Sequence, residues 1–177
     1  MIVGHERNIR YLTRVLERGS IAHAYLFSGP EAVGKKTIAL ALAASFLCRE
    51  RSALTVGGCG VCEDCGALAR GAHPDLLLIS HEQPLIASEN KRELGIKNIH
   101  ELQRRLGMSS WRGGKKVAVI DGADALSRDA QTALLKILED PPRAAVFFLI
   151  TNAPESLFPT IRSRCVRVGF AAVSDGD

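Results

Sequence analysis

The sequence predicts an α/β fold: a five-stranded parallel sheet with helices on both faces. Three observations predict it. Five short apolar runs, Ala24-Tyr25-Leu26-Phe27, Leu76-Leu77-Leu78-Ile79, Val117-Ala118-Val119-Ile120, Ala145-Val146-Phe147-Phe148-Leu149-Ile150 and Cys165-Val166-Arg167-Val168, alternate with segments of helical spacing. The first run leads into Gly29-Pro30-Glu31-Ala32-Val33-Gly34-Lys35-Lys36-Thr37 and then a helical run from Ile38 to Leu47. Strand, glycine loop, lysine and helix in that order make a P-loop. Asp121 and Asn152 follow the third and fourth runs, at the strand ends where open α/β sheets gather ligand sites.

Each element follows from local pattern. Ile9, Leu12, Val15 and Leu16 give Glu6–Arg18 one apolar helical face, and Gly19 ends it. His23 stands where the first strand begins. The stretch Val56–Gly66 is too glycine-rich for helix or strand and reads as a tight knuckle, with a short helix at Ala67–Arg70 after it. Residues 80–95 read as a loop containing Pro84, Asn90, Lys91 and Arg92. Ile96, Ile99, Leu102 and Leu106 mark the next helix, followed by the basic turn Arg112–Lys116. Asp129–Glu139 is helical until Pro141-Pro142, and Pro159–Arg164 forms a helical turn.

With 177 residues, the chain is long enough for one domain with a real core. Hydrophobic residues make up 46% and charged residues 24%, the balance of a soluble globular protein. No run is long enough to span a bilayer, and the N-terminus lacks a secretory signal, so the expected location is cytoplasmic, away from membranes. A net charge of +4 fits a mixed solvated surface and does not argue for nucleic-acid binding.

The P-loop departs from its pattern at one position. Backbone N–H groups and the helix N-terminus hold polyphosphate, and a hydroxyl after the lysine normally coordinates Mg²⁺. Here Lys36 stands at that place, with Thr37 one residue late and expected to face away. An ammonium has three donors and no acceptor, so it cannot ligate a cation. Asp121 is the natural metal-holding partner. The residue after it is Gly122, where a hydrolytic enzyme of this layout commonly has a Glu, and Asp124 lies past the strand with no predictable direction. The candidate nucleotide-binding residues are Gly29, Gly34, Lys35, Lys36, Thr37, Asp121 and Asn152. ATP or ADP is expected to bind weakly, Mg²⁺ poorly, and hydrolysis by the chain alone is not expected.

The second signal is thiol spacing. Cys59, Cys62 and Cys65 share one knuckle, and Cys48 at the end of the P-loop helix supplies a fourth ligand if the chain folds back. Four thiolates suit a closed, structural Zn²⁺ site. An iron–sulfur cluster is the runner-up, lacking the longer gap and following Pro of ferredoxin-like runs, and free thiols are the third reading. Cys165 reads as a core thiol. Arg164 alone reads as a surface charge, with an arginine finger acting on a neighbouring subunit as the alternative.

The residues resemble the AAA+ clamp-loader subunits of bacterial DNA polymerase III along nearly the whole chain. The likeness rests on Val3-Gly4-His5, His23–Phe27, the cysteine insertion, Ala133–Pro142, Thr151-Asn152 and Ile161–Cys165. It implies an AAA+ P-loop core over residues 1–170 with a zinc insertion at 48–66 and a tail at 171–177, the family's lid and collar being absent. Lys36 and Gly122 place the chain nearer the delta-prime type, a largely non-hydrolysing stator of the holoenzyme, than the catalytic gamma/tau type, which remains the alternative. The resemblance also implies that Asn152 is at the sensor-1 position, that Arg164 acts in trans, and that the four cysteines hold zinc. The implied partners are gamma/tau and delta, with the sliding clamp and primed DNA met through the complex. A stand-alone zinc-containing nucleotide- or DNA-binding domain is the third reading.

Overall fold

The computed structural model describes residues 4–50, 56–87, 93–111 and 113–172. Val3, residues 51–55 of the insertion, 88–92 of the loop, Arg112 of the basic turn and 173–177 of the tail lie outside the described residues. Five strands, β1 (Ala24–Ser28), β2 (Leu76–Ile79), β3 (Lys116–Asp121), β4 (Ala145–Thr151) and β5 (Val166–Gly169), form one sheet in the order β2-β3-β4-β1-β5. Every pairing is parallel. Among the described residues six α-helices pack around it: α1 (Glu6–Glu17), α2 (Lys35–Leu47), α3 (Glu63–Ala69), α4 (Ile96–Gly107), α5 (Arg128–Glu139) and α6 (Pro159–Arg164).

The strands are apolar throughout because both faces are covered. Ala24, Leu26, Ala118, Ile120, Phe147 and Leu149 share one core with α4, α5 and α6. Their neighbours Tyr25, Phe27, Val117, Val119, Phe148 and Ile150 share the other with α1 and α2. Burying each large side chain contributes about 1.5–3 kcal/mol. The central strands therefore form a fixed platform for the residues at their carboxyl ends. Among the described residues no helix is long and apolar enough to cross a membrane.

Two local readings need correction. The knuckle does contain a helix: α3 begins at Glu63, inside the glycine-rich stretch, rather than at Ala67. The Cys62 thiol caps it by accepting the Cys65 N–H, and Glu63 and Asp64 suit its positive end. The P-loop helix starts at Lys35, so the motif lysines form its first turn. Periodicity missed both starts because neither first turn carries an apolar stripe.

Gly29 is required for a reason other than phosphate. Phe170 N–H donates to the Ser28 carbonyl at 2.7 Å, drawing the chain after β5 across the end of β1. A Cβ on Gly29 would lie 2.2 Å from the Phe170 carbonyl oxygen. Gly29→Ala should cost on the order of 1–3 kcal/mol, read as a lower denaturant midpoint at unchanged m-value. An unchanged midpoint would show that the Phe170 segment moves freely.

Candidate nucleotide cleft and thiol cluster

A cleft of about 580 Å³ opens at the carboxyl ends of β1, β3 and β4. Gly34, Lys35, Lys36, Asp121 and Asn152 line it as expected. Thr37 also reaches it and is exposed at its rim, which corrects the expectation that it faces away. Gly29 contributes its carbonyl rather than a wall of the cleft. The Lys35 ammonium is buried and donates to the Gly29 carbonyl at 2.7 Å, to the Pro30 carbonyl and to Asn152 Oδ1 at 2.7 Å. Burial lowers its pKa, against the opposing pull of Asp121 and Asp124.

Lys36 Nζ sits 3.0 Å from Asp121 Oδ2, with the two side chains 41% and 28% exposed toward solvent. The residue that replaces the metal-binding hydroxyl thus pairs with the carboxylate that would face the metal. Asp124, whose direction the sequence left open, also lines the cleft, with one carboxylate oxygen engaged by β4. Its Oδ1 accepts from Thr151 Oγ1 at 2.7 Å and from Asn152 N–H at 3.2 Å, fixing the end of β4. Gly122 adopts a left-handed backbone (φ +77°) that L side chains rarely take. The P-loop family implies a Mg²⁺ ion here. The donor set does not fit one: Lys36 occupies the place of a ligand and binds Asp121, and no carboxylate follows it. Glu31, His81 and Glu82 also line the cleft. No spacing rule pointed to them, since they arrive on separate loops.

The four knuckle thiols converge. The sulfurs of Cys48, Cys59, Cys62 and Cys65 all lie within 4.8 Å of one another. The Cys48–Cys62 and Cys59–Cys65 separations are 3.8 and 3.9 Å. Four sulfurs tetrahedrally placed about 2.3 Å from one ion would be about 3.8 Å apart, so the set fits Zn²⁺. Backbone N–H groups of Cys59, Cys62 and Cys65 donate to the sulfurs of Cys48, Cys59 and Cys62. Burial raises the Cys62 pKa, but the N–H groups of Cys65 and Arg49 and the neighbouring thiols outweigh it, and the net value falls to about 6. Burial pushes Cys65 up to about 12 and raises Cys48 as well. Cys165 is buried in the sheet core, as expected, and burial raises its pKa to about 11.

Arg164 closes α6, immediately before β5, and so lies at the amino end of that strand, away from the cleft. Its Nη2 donates to Glu139 Oε1 at 2.7 Å and its Nη1 to the Thr160 carbonyl at 3.1 Å. Buried Gln131 fixes the start of α6. Its amide N–H groups reach the Leu126 and Ser156 carbonyls, and its Oε1 accepts the Phe158 N–H at 2.8 Å. Sequence reading missed Gln131 and Glu139, whose partners on and around α6, Ser156, Phe158 and Arg164, lie 25 to 27 residues away.

The family described as DNA polymerase III, delta subunit, matches residues 4–174. The chain belongs to this family. It is 37% identical over 150 residues to the DNA polymerase III subunit delta' of Pseudomonas aeruginosa, covering 85% of this chain and 43% of that protein. It is also 37% identical over 172 residues to the DNA polymerase III subunit tau of Escherichia coli, covering 97% of this chain and 25% of that protein. The chain thus spans less than half the length of these relatives. Among solved structures, a DNA polymerase III gamma subunit-related protein of Thermotoga maritima matches with a TM-score of 0.60 at 22% identity, covering 94% of this chain and 46% of that one. The RuvB Holliday junction branch migration motor of the same organism matches with a TM-score of 0.52 at 16% identity, covering 93% and 45%. These two likenesses show the fold alone, a parallel α/β sheet with a P-loop, and leave the role within the family to the site.

Proposed function

We propose that the chain is the P-loop core of a delta-prime-type clamp-loader subunit of DNA polymerase III. In this reading it is a largely non-hydrolysing stator that offers Arg164 to the nucleotide of a neighbouring ATPase subunit. The observation that carries the reading is the Lys36–Asp121 ion pair. A site that couples hydrolysis to clamp loading needs a metal there, and this one has a lysine. Gly122 supports it by supplying no carboxylate in the expected water-positioning place. The AAA+ core covers 1–170, with Zn²⁺ held by Cys48, Cys59, Cys62 and Cys65 in the 48–66 insertion. Gly34, Lys35, Lys36, Thr37, Asp121 and Asn152 are left to bind ATP or ADP weakly. Gamma/tau and delta subunits are the partners, with the sliding clamp and primed DNA engaged through the assembled loader.

The gamma/tau-type catalytic reading has one observation in its favour, the equal 37% identity to a tau subunit. ATPase measurements separate the two. The protein alone should show no turnover above a Lys35→Ala control, and a loader reconstituted with it should hydrolyse ATP on primed DNA. Turnover by the protein alone that disappears on Lys35→Ala supports the catalytic reading.

A further inference from the structure

The metal place of the cleft is filled by the chain's own cation. We propose that Lys36 is a built-in counter-cation replacing Mg²⁺, so that the cleft takes the metal-free nucleoside polyphosphate and discriminates against its magnesium complex. This rests on the cleft being the phosphate site of the preceding reading, and it does not depend on the role of Arg164.

Three features of the molecule lead there. The first is position. Lys36 follows the P-loop lysine in the first turn of α2, at the motif's hydroxyl position, and its Nζ is 3.0 Å from Asp121 Oδ2, the carboxylate that would help hold a metal. The second is availability. Lys35 is 5% exposed and donates to two loop carbonyls and to Asn152. The Lys36 side chain is 41% exposed, and an ammonium carries three donors, of which Asp121 uses one. The remaining N–H groups can meet phosphate oxygens beside the unpaired N–H groups of the first turn of α2. The third is that the residues nearest Asp121 in sequence offer no ready substitute ligand, Glu31, His81 and Glu82 reaching the cleft on separate loops. Asp124 Oδ1 is held by Thr151 and Asn152, and Gly122 has no side chain.

The charge balance sets the sign. A dication entering the cleft would have to displace Lys36 from Asp121 and stay beside it, so like-charge repulsion opposes it. Metal-free ATP keeps its full negative charge for Lys35, Lys36 and the helix N-terminus. Magnesium therefore competes with the protein for the ligand rather than bridging the two.

The test is ATP binding to the protein, by calorimetry or by a fluorescent ATP analogue, in EDTA and in excess Mg²⁺. The expected result is binding tighter in EDTA by about tenfold. Lys36→Thr, which restores a hydroxyl and frees Asp121, should reverse the preference so that Mg²⁺ tightens binding. Lys36→Arg, which keeps the charge, should retain the wild-type preference and guards against misfolding of the threonine variant. Tighter or equal binding by wild type in Mg²⁺ overturns the counter-cation and leaves the phosphate site intact. So does a folded Lys36→Thr protein that still prefers EDTA. Absence of ATP binding in both buffers overturns the phosphate site itself, and the counter-cation with it.

Discussion

Arg164→Ala should lower the DNA-stimulated ATPase of a loader reconstituted with gamma/tau and delta subunits by about 10³–10⁵-fold in kcat at the neighbouring site. The direction follows from the topology. Arg164 precedes the amino end of β5, whereas the cleft of the same chain lies at the carboxyl ends of β1, β3 and β4. A parallel strand cannot bring both to one end of the sheet, so any nucleotide Arg164 meets belongs to another molecule. A freely swinging arginine would lose entropy on engaging a phosphoryl group. Here α6 is held at its start by Gln131 and at its end by the Arg164–Glu139 contact, both partners being on α5. The fold of the variant should be unaffected, because an exposed ion pair of this kind contributes about 0–1 kcal/mol. Arg164→Lys should recover little, since a point charge lacks the planar fork. A loader that turns over equally fast with Arg164→Ala removes the in-trans role and returns Arg164 to a surface charge.

What was legible in the sequence is what short-range pattern controls. The five apolar runs became the five strands because a parallel sheet buried on both faces leaves no polar alternation to confuse the reading. Lys35, Asp121 and Asn152 were placed together because strand ends and motif order determine their location. The thiols were grouped by spacing within one knuckle plus one helix end. What was not legible depends on contacts remote in sequence. That Lys36 opposes a metal is readable from its chemistry. That it seats on Asp121, 85 positions away, is not. Asp124 was ambiguous until β4 brought Thr151 to it. Gly29 was placed correctly in the loop for an incomplete reason, since its tightest constraint is the Phe170 carbonyl. The start of α3 was missed because a thiol caps it, and capping rules are built on Ser, Thr, Asp and Asn.

The thiol cluster carries the other large expected effect. The purified protein should contain one zinc per chain by atomic spectroscopy, and a strong chelator should strip it with loss of the knuckle's structure. Structural zinc binds with about 10–16 kcal/mol in zinc-finger peptides at neutral pH, so a small knuckle has no comparable source of stability. The damage should stay local. α2 is anchored in the sheet core by Ile38, Ala39, Leu42 and Phe46, none of which depends on the sulfurs. Stripping should therefore open residues 56–70 to protease while the core melts cooperatively as before. The pH dependence has a definite sign. Ligands bind as thiolates, so protons compete with the metal. Cys62 is depressed to about 6 and Cys65 raised to about 12 in the metal-free cluster. Between those values Cys62 is already ionised while Cys65 must release its proton to zinc, so affinity rises with pH through that range. Below about 6, Cys62 is protonated too and the metal should leave more readily. Zinc retention against a fixed chelator, followed from pH 8 down to pH 5, should fall in that order. Cys62→Ser should release the metal at a higher pH than wild type. A protein with no metal, or with a coloured iron centre, or with all four knuckle thiols alkylated as fast as a free thiol would rule out the zinc site.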